Sequence, residues 1–403
     1  MSLISVDDAV RLVMVDAAPV SATEAVALRN ARDRILAADL YAERTQPGFD
    51  ASAMDGYAVR ATDAAPPFAP LRLVGEAAAG HAFGGRLAEG EAVRIFTGAP
   101  VPEGADAILI QENAERSGPY RVRPSEAVAA GRHIRRAGAD FSAGERLLSA
   151  GMRLSSGALA LAASGGHPML SVLRRPRVAI LATGDELVLP GEPVGPSQIV
   201  ASNTFGVGAL VESAGGEVLD CAIAPDDEAA IADHLDRAVA RGVDVFVTIG
   251  GASVGDHDLV GKVFADKGVA LDFWKVAMRP GKPLMAGRIG ATRVIGLPGN
   301  PASSMVAATL FLRPLVEALA GRPRRPDYRS GILGRDMSAN EDRADFVRAS
   351  LDDSQGGIPV VTPFDRQDSS LLSIYAQANA LLLRPPHAGP AKAGDACLFV
   401  GLD

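Results

Sequence analysis

Val243-Asp244-Val245-Phe246-Val247-Thr248-Ile249-Gly250-Gly251-Ala252-Ser253-Val254-Gly255-Asp256-His257-Asp258 decides how the rest of the chain is read. Its first half is a short apolar, β-branched run of the kind that forms a strand buried on both faces. The run ends in two glycines, so a strand empties into a glycine-rich loop. Without Cβ atoms, backbone N–H groups in such a loop can close on a ligand, and Asp256 and Asp258 follow just before the next helical segment. This chemistry suits a phosphate-bearing ligand held with a divalent cation.

Outward from that strand, residues 177 to 319 alternate between strands and helices. Val178–Ala182, Glu217–Ala222, Val243–Ile249, Val269–Trp274 and Arg293–Leu297 read as strands. Ser202–Ala214, Asp226–Ala240, Leu259–Lys267 and Pro301–Leu319 read as helices. Such alternation predicts a mostly parallel sheet covered on both faces, with ligands at the carboxyl ends of its strands. The loops on that rim are Thr183-Gly184-Asp185-Glu186, Pro225-Asp226-Asp227, Gly250 to Asp258, Lys275 to Lys282, and Leu297-Pro298-Gly299-Asn300-Pro301-Ala302-Ser303. The last opens a helix with Pro301 and Ser303 in its first turn, where free N–H groups and the dipole favour an anion. The rim thus gathers many acids, the cations Lys275, Arg279 and Lys282, and two glycine-rich cradles. Carboxylates at that density are costly without a cation among them, and Mg²⁺ suits hard oxygen ligands beside a phosphate.

The flanking regions differ in texture. Ser5–Val15 and Val26–Asp39 have helical spacing, as does Glu145–His167, with Ser155 and Ser156 as N-caps. Between them, residues 40 to 140 show short apolar runs broken by Gly and Pro, which read as a small β domain. After Arg322-Pro323-Arg324-Arg325-Pro326 the chain is again β-rich, with strands at Ile358–Val361, Ala380–Leu383 and Cys397–Val400. Arg343, Arg348, Ser369 and Ser370 are its anion-binding candidates. The expected fold class is α/β plus β, multidomain: a three-layer α/β sheet domain, an inserted β domain, a helical framework segment and a small C-terminal β-barrel-like domain. The expected bounds are 1–39 plus 141–173 for the framework, 40–140 for the insert, 174–322 for the sheet domain and 323–403 for the last.

Composition bounds the function. The chain has 403 residues, 48% of them hydrophobic and 22% charged, as in globular proteins. A formal net charge of -8 argues against nucleic acid as the main partner. No apolar run reaches the roughly 20 residues of a membrane span. Acids near the N-terminus stand where a signal peptide would be basic, so a cytoplasmic address is expected. Cys221 and Cys397 form no C-x-x-C, and the six histidines lack metal-ligand spacing. Gly251-Ala252-Ser253-Val254-Gly255 matches the nucleophile elbow of serine hydrolases. Only His257 and His387 follow Ser253: the first is too close in sequence to come from a separate loop, and the second lies among prolines and glycines.

Pro47 to Val59, Thr97 to Pro102, Arg135 to Gly144, Thr183 to Leu187, Gly250 to Gly255, Arg279-Pro280-Gly281-Lys282-Pro283 and Gly296 to Ser303 carry a resemblance. The combination resembles the molybdopterin molybdenumtransferases of molybdenum cofactor biosynthesis, related to the C-terminal part of gephyrin. Arg343 to Arg348 and Gln367 to Asn379 extend it into the last domain. The resemblance implies a homodimer that converts adenylylated molybdopterin and molybdate to molybdenum cofactor and AMP, with Mg²⁺ assisting. A molybdopterin adenylyltransferase and apo-molybdoenzymes are the implied protein partners. Carried over by motif, Asp55, Thr97 and Asp140 would face the cleft of the sheet domain, the same subunit's or its partner's. Asp185, Glu186, Asp226 and Asp258 would hold the cation or position water. Lys275, Arg279, Lys282, Ser303, Arg343 and Ser369 would cradle molybdate and phosphate. Thr183, Gly250, Gly251, Ser253, Gly255, Pro298, Gly299, Asn300 and Pro301 would line the substrate loops. Three positions depart from the family pattern: Arg279 where many members have lysine, Ala201 before Ser202-Asn203, and Asp368 where a small residue is usual. Two other readings stand beside this one, a non-catalytic molybdopterin-binding scaffold and a hydrolase using Ser253.

Overall fold

A computed structural model describes residues 3–251, 259–322, 327–354 and 356–402. The chain forms two compact units, Met1–Glu24 with Leu173–Asp403, and Ala25–Val172.

The first unit is built on a six-stranded sheet. Its strands are β1 (Arg177–Thr183), β2 (Glu217–Ala224), β3 (Val245–Ile249), β4 (Ala270–Trp274), β5 (Met285–Ile289) and β6 (Thr292–Leu297), in the order β2-β1-β3-β6-β5-β4. β2, β1, β3 and β6 are parallel, in register at Ile180↔Val247 and Val247↔Ile295. β5 and β4 complete the sheet antiparallel. β3 and β6 are buried along their whole length, which is why they read as unbroken apolar runs. Alternate side chains serve opposite faces. Ile180, Val247 and Ile295 pack with α1 (Val6–Val13), α2 (Asn203–Ser213) and the helix Pro301–Leu319. Leu181, Phe246 and Val294 pack under α3 (Glu228–Ala240) and α4 (Leu259–Asp266). Pro301–Leu319 is long and apolar enough to cross a membrane, with mean hydropathy 1.3, yet it is entirely buried as the core helix of this layer.

α1 departs from the expected framework of 1–39 with 141–173. Ser5 caps it by accepting from the Asp8 N–H at 3.1 Å. Its buried Val6, Ala9 and Val13 join the sheet core beside Val276 and Phe311. Arg293, 8% exposed, donates to the Val13 and Val15 carbonyls at the helix end, at 3.0 and 2.8 Å.

The same unit contains a closed barrel. Its strands run in the order Met278–Arg279, Ala344–Asp352, Val360–Pro363, Tyr328–Leu333, Ala396–Gly401, Ala380–Arg384. Pairing of Ala344–Asp352 with Ala380–Arg384 closes it. The sheet domain lends the barrel its first strand, in parallel register at Met278↔Ala344 and Arg279↔Asp345.

The second unit holds another six-stranded sheet. The order is Ala107–Ile110, Gly56–Val59, Glu91–Ile95, Leu71–Ala77, Arg121–Pro124, Ala114–Arg116. Tyr57, Val59 and Leu109 face one small core, Ala58, Val93 and Ile108 the other. The helix Ser156–Ser164 is capped by Ser155, as its sequence predicts. The segment 26–39 is not helical, despite its spacing. It holds one 3₁₀ turn, Leu28–Asn30, and then Asp33 at a φ of 63°. Extended backbone pairs instead across to 152–154, with the Leu36 N–H on the Met152 carbonyl at 2.9 Å and the Leu154 N–H on the Arg34 carbonyl at 2.9 Å. Tertiary pairing overrides a weak helical preference.

Candidate functional site

The carboxyl ends of β1, β2, β3 and β6 open into a cleft of about 470 Å³. Glycines let its loops approach one another. A Cβ at Gly250 would lie 2.7 Å from the Thr183 carbonyl oxygen, and the backbone there has a φ of 95°. Thr183, Glu186, Asp226, Gly250 and Gly251 line one side of the cleft. Pro298, Gly299, Asn300 and Pro301 line another, at the start of the core helix. A third wall is apolar: Ile199 and Val200, 56% and 39% exposed, offer a surface for a flat ring. Ala201 belongs to this wall and is itself buried, so the small residue there leaves the loop in the cleft. The Thr183 hydroxyl is buried without a hydrogen-bond partner among the described residues.

The acids of the rim are neighbours. The Asp226 N–H donates to Asp185 Oδ1 at 3.1 Å, and both Glu186 and Asp226 face the cleft. Among the described residues no three acids, histidines or cysteines form a ready-made metal cage. Ser253, Gly255 and Asp258 lie outside the described residues.

The core helix is tied on both sides. Asn203 Nδ2 donates to the Gly299 carbonyl at 2.7 Å, and Asn300 Nδ2 to Ser369 Oγ at 3.1 Å. The Ala302 N–H reaches the Ser369 carbonyl at 3.0 Å. Ser369 therefore sits at the helix start. Asp368 does not displace it: its carboxylate turns to accept the Ser370 N–H and hydroxyl at 2.8 and 2.6 Å. Ser303 is buried in the first turn of the helix.

The predicted cations separate. Lys275, at a φ of 88°, holds its ammonium 5.5 Å from the centre of the Trp274 ring, and neither it nor Lys282 lines the cleft. Arg279 is engaged: Nε and Nη2 donate to Asp345 at 2.7 and 2.6 Å, with Glu341 at 3.3 Å. The bonds to Asp345 hold its pKa above the ordinary value. Arg343 is half-exposed and lies 3.8 Å from Asp342. The sequence offers both Arg343 and Arg348 as anion candidates, and the family resemblance points to Arg343. Arg348 is fully buried, and its Nε and Nη1 have no partner among the described residues. Its Nη2 donates to the Asp368 carbonyl at 3.1 Å, next to Ser369. Burial pushes its guanidinium below the usual range, and Asp368 partly offsets this. Arg348 also lines a second cleft of about 490 Å³ with Gln367 and Phe364.

In the second unit, Asp55 Oδ1 accepts both the N–H and the hydroxyl of Thr97, each at 2.8 Å. The Thr97 N–H, then its hydroxyl, then the charge of Arg94 hold the Asp55 carboxyl below the usual range. Asp140 is exposed, its N–H on the Gln46 carbonyl at 3.0 Å.

A mostly parallel sheet with a glycine-walled, acid-rimmed cleft at its carboxyl edge, joined to a closed β-barrel and a separate β unit, defines a multidomain α/β-plus-β protein with a ligand cleft on its sheet. Family models match in the same order. They are the MoeA N-terminal region (domain I and II) over residues 4–166, the probable molybdopterin binding domain over 179–318, and the MoeA C-terminal region (domain IV) over 330–402. The chain is 35% identical to the molybdopterin molybdenumtransferase of Haemophilus influenzae, covering 93% of this chain and 92% of that one. It is 39% identical to molybdopterin molybdenumtransferase 2 of Mycobacterium tuberculosis, covering 92% of each. The crystal structure of a molybdopterin biosynthesis MoeA protein from Pyrococcus horikoshii superposes with a TM-score of 0.82, at 28% identity and full coverage of both chains. The chain belongs to the molybdopterin molybdenumtransferase family.

Proposed function

We propose that this protein inserts molybdenum into molybdopterin, converting adenylylated molybdopterin and molybdate to molybdenum cofactor and AMP, as a cytoplasmic homodimer. Family membership supports the overall reaction. The observation that carries the oxyanion half of the reading is Arg348, a buried guanidinium with two unpartnered N–H groups that touches the Ser369 turn at the start of the core helix. A tetrahedral dianion takes donors of this kind: the unpartnered N–H groups of Arg348, beside the turn that carries the Ser369 hydroxyl. Lys275 and Lys282 supply longer-range positive charge, while Arg279 is reassigned from ligand cradle to domain joint.

The adenylyl end of the substrate fits the main cleft. Ile199 and Val200 give a ring an apolar face, and the Gly250-Gly251 and Pro298-Gly299-Asn300 loops present backbone to phosphate. Asp185, Glu186 and Asp226 are the residues that would hold Mg²⁺, which lowers the cost of charge on a phosphoanhydride as it is cleaved. A carboxylate that stays ionised can orient the incoming oxygen, and Asp55, preset by Thr97, is proposed for this task together with Asp140. The expected protein partners are a molybdopterin adenylyltransferase and apo-molybdoenzymes.

The test is AMP release from adenylylated molybdopterin by the purified protein, with and without molybdate and Mg²⁺, coupled to activation of an apo-molybdoenzyme. Release that needs both ions and yields active cofactor supports the proposal. Tight binding without release would replace it with the scaffold reading.

A further inference from the structure

We propose that Arg94 is the positioning residue for Asp55, a guanidinium clamp that fixes the carboxylate's loop for the reaction. The inference rests on the reading of Asp55 as an acting carboxylate. Arg94 lies in the strand Glu91–Ile95, directly opposite Tyr57 in the antiparallel pair with Gly56–Val59. Its guanidinium sits between two rings, 5.0 Å from the centre of Tyr57 and 4.9 Å from that of Phe96. A planar, weakly hydrated cation is suited to that slot, and its fork can serve two acceptors at once.

Both acceptors lead to Asp55. Nη1 donates to the carbonyl of Gly56, the next residue, at 3.0 Å. Nη2 donates to Gln111 Oε1 at 2.9 Å, and the Gln111 N–H in turn reaches the Asp55 carbonyl at 3.2 Å. Phe96, the ring on the other side, directly precedes Thr97, whose N–H and hydroxyl grip the Asp55 carboxylate. One side chain therefore braces the residue after Asp55, the residue that binds its carbonyl, and the neighbour of the residue that binds its carboxylate. A plain strand staple would need none of these three to converge on one loop. Lysine could keep the charge but not both hydrogen bonds.

The experiment compares Arg94→Met, Arg94→Lys, Gln111→Leu, Asp55→Asn and the double variant Arg94→Met/Asp55→Asn in the full-length protein. The readouts are steady-state AMP release and the ¹⁵N-threonine spectrum. A misplaced reacting group costs up to about 100-fold, so Arg94→Met should lower kcat about 10- to 100-fold with KM changed by less than about twofold. Arg94→Lys should recover part of the loss, Gln111→Leu should show a smaller loss than Arg94→Met, and the Thr97 amide resonance should move in each. The double variant should be no slower than Asp55→Asn. Loss of the same factor in the Asp55→Asn background would overturn the proposal, as would an unmoved Thr97 amide in folded Arg94→Met. Should Arg94→Met fail to fold, Arg94→Lys and Gln111→Leu decide by the same two readouts. Normal turnover by Asp55→Asn would instead sink the reading of Asp55, while the Thr97 amide would still report whether Arg94 holds the loop.

Discussion

Replacing Arg348 with methionine should separate stability from ligand binding. The wild-type side chain is 0% exposed and leaves Nε and Nη1 without partners among the described residues. Hydrogen bonds to charged groups contribute about 1.5–3 kcal/mol each, so loss of two donors to molybdate should cost roughly 3–6 kcal/mol. At tenfold per 1.4 kcal/mol, that is about 10²- to 10⁴-fold weaker binding. The same two groups cost the unliganded protein about 1–3 kcal/mol each while they stay dry and unpaired. Methionine fills similar volume without that penalty, so the unliganded Tm should hold or rise by a few degrees. Calorimetric titration with molybdate and thermal unfolding without it measure the two quantities on one preparation. Molybdate affinity within about threefold of wild type would refute the reasoning. A large drop in unliganded Tm would do so as well, by showing that the guanidinium is structural.

Four further outcomes are expected. Glu186→Gln should abolish AMP release and leave the circular dichroism spectrum unchanged, because the residue lines the cleft and lies in a loop beyond β1; an unfolded variant would make Glu186 structural. Asp55 has a depressed folded-state pKa, so the stabilisation from its ionised form is present above the unfolded value of about 3.9 and lost as pH falls through the lower folded value. It should therefore set no acid limb of activity above about pH 5. Thr97→Val, which removes the hydroxyl and keeps the N–H, should raise the Asp55 midpoint part of the way in an NMR titration. Arg279→Lys should lose the two-point contact with Asp345 and lower stability by about 1 kcal/mol, the pair being partly exposed and screened. Its molybdate affinity should fall far less than that of Arg348→Met, and an equal fall would restore Arg279 to the oxyanion site.

The sheet domain was legible because burial on both faces writes itself as continuous apolar runs. Val245–Ile249 and Thr292–Leu297 needed little beyond that signal. Rim position followed from topology, which is why Thr183, Glu186, Asp226 and Asn300 meet in one cleft. Antiparallel β5 escaped notice, since Met285-Ala286-Gly287-Arg288-Ile289 is weakly β in composition. In the barrel, Tyr328–Leu333 and Ala344–Asp352 were missed because Arg329, Ser330 and Gly331, and then Arg348 and Ser350, interrupt any simple apolar alternation. α1 was assigned to a framework because amphipathic spacing shows that a helix has a buried face but not what covers it.

Arg343 and Arg348 differ in ways that a count of cations leaves out. Ala344, Phe346 and Arg348 fall on one face of their strand at a spacing of two, and all three are buried. That face packs with the sheet-domain core, while Val347 and Ala349 fill the barrel; an arginine buried there is expensive, and its N–H groups must find acceptors or remain unpaired donors. Arg279 meets that requirement with Asp345, so an incoming dianion would first have to displace a carboxylate. Arg348 meets it only in part, through one backbone carbonyl. Free donor capacity, more than positive charge, distinguishes a residue that can receive an oxyanion from one that already holds the fold together. By that criterion the two arginines differ: Arg279 joins the sheet domain to the barrel, and Arg348 keeps two donors unpartnered among the described residues, as the proposed oxyanion role requires.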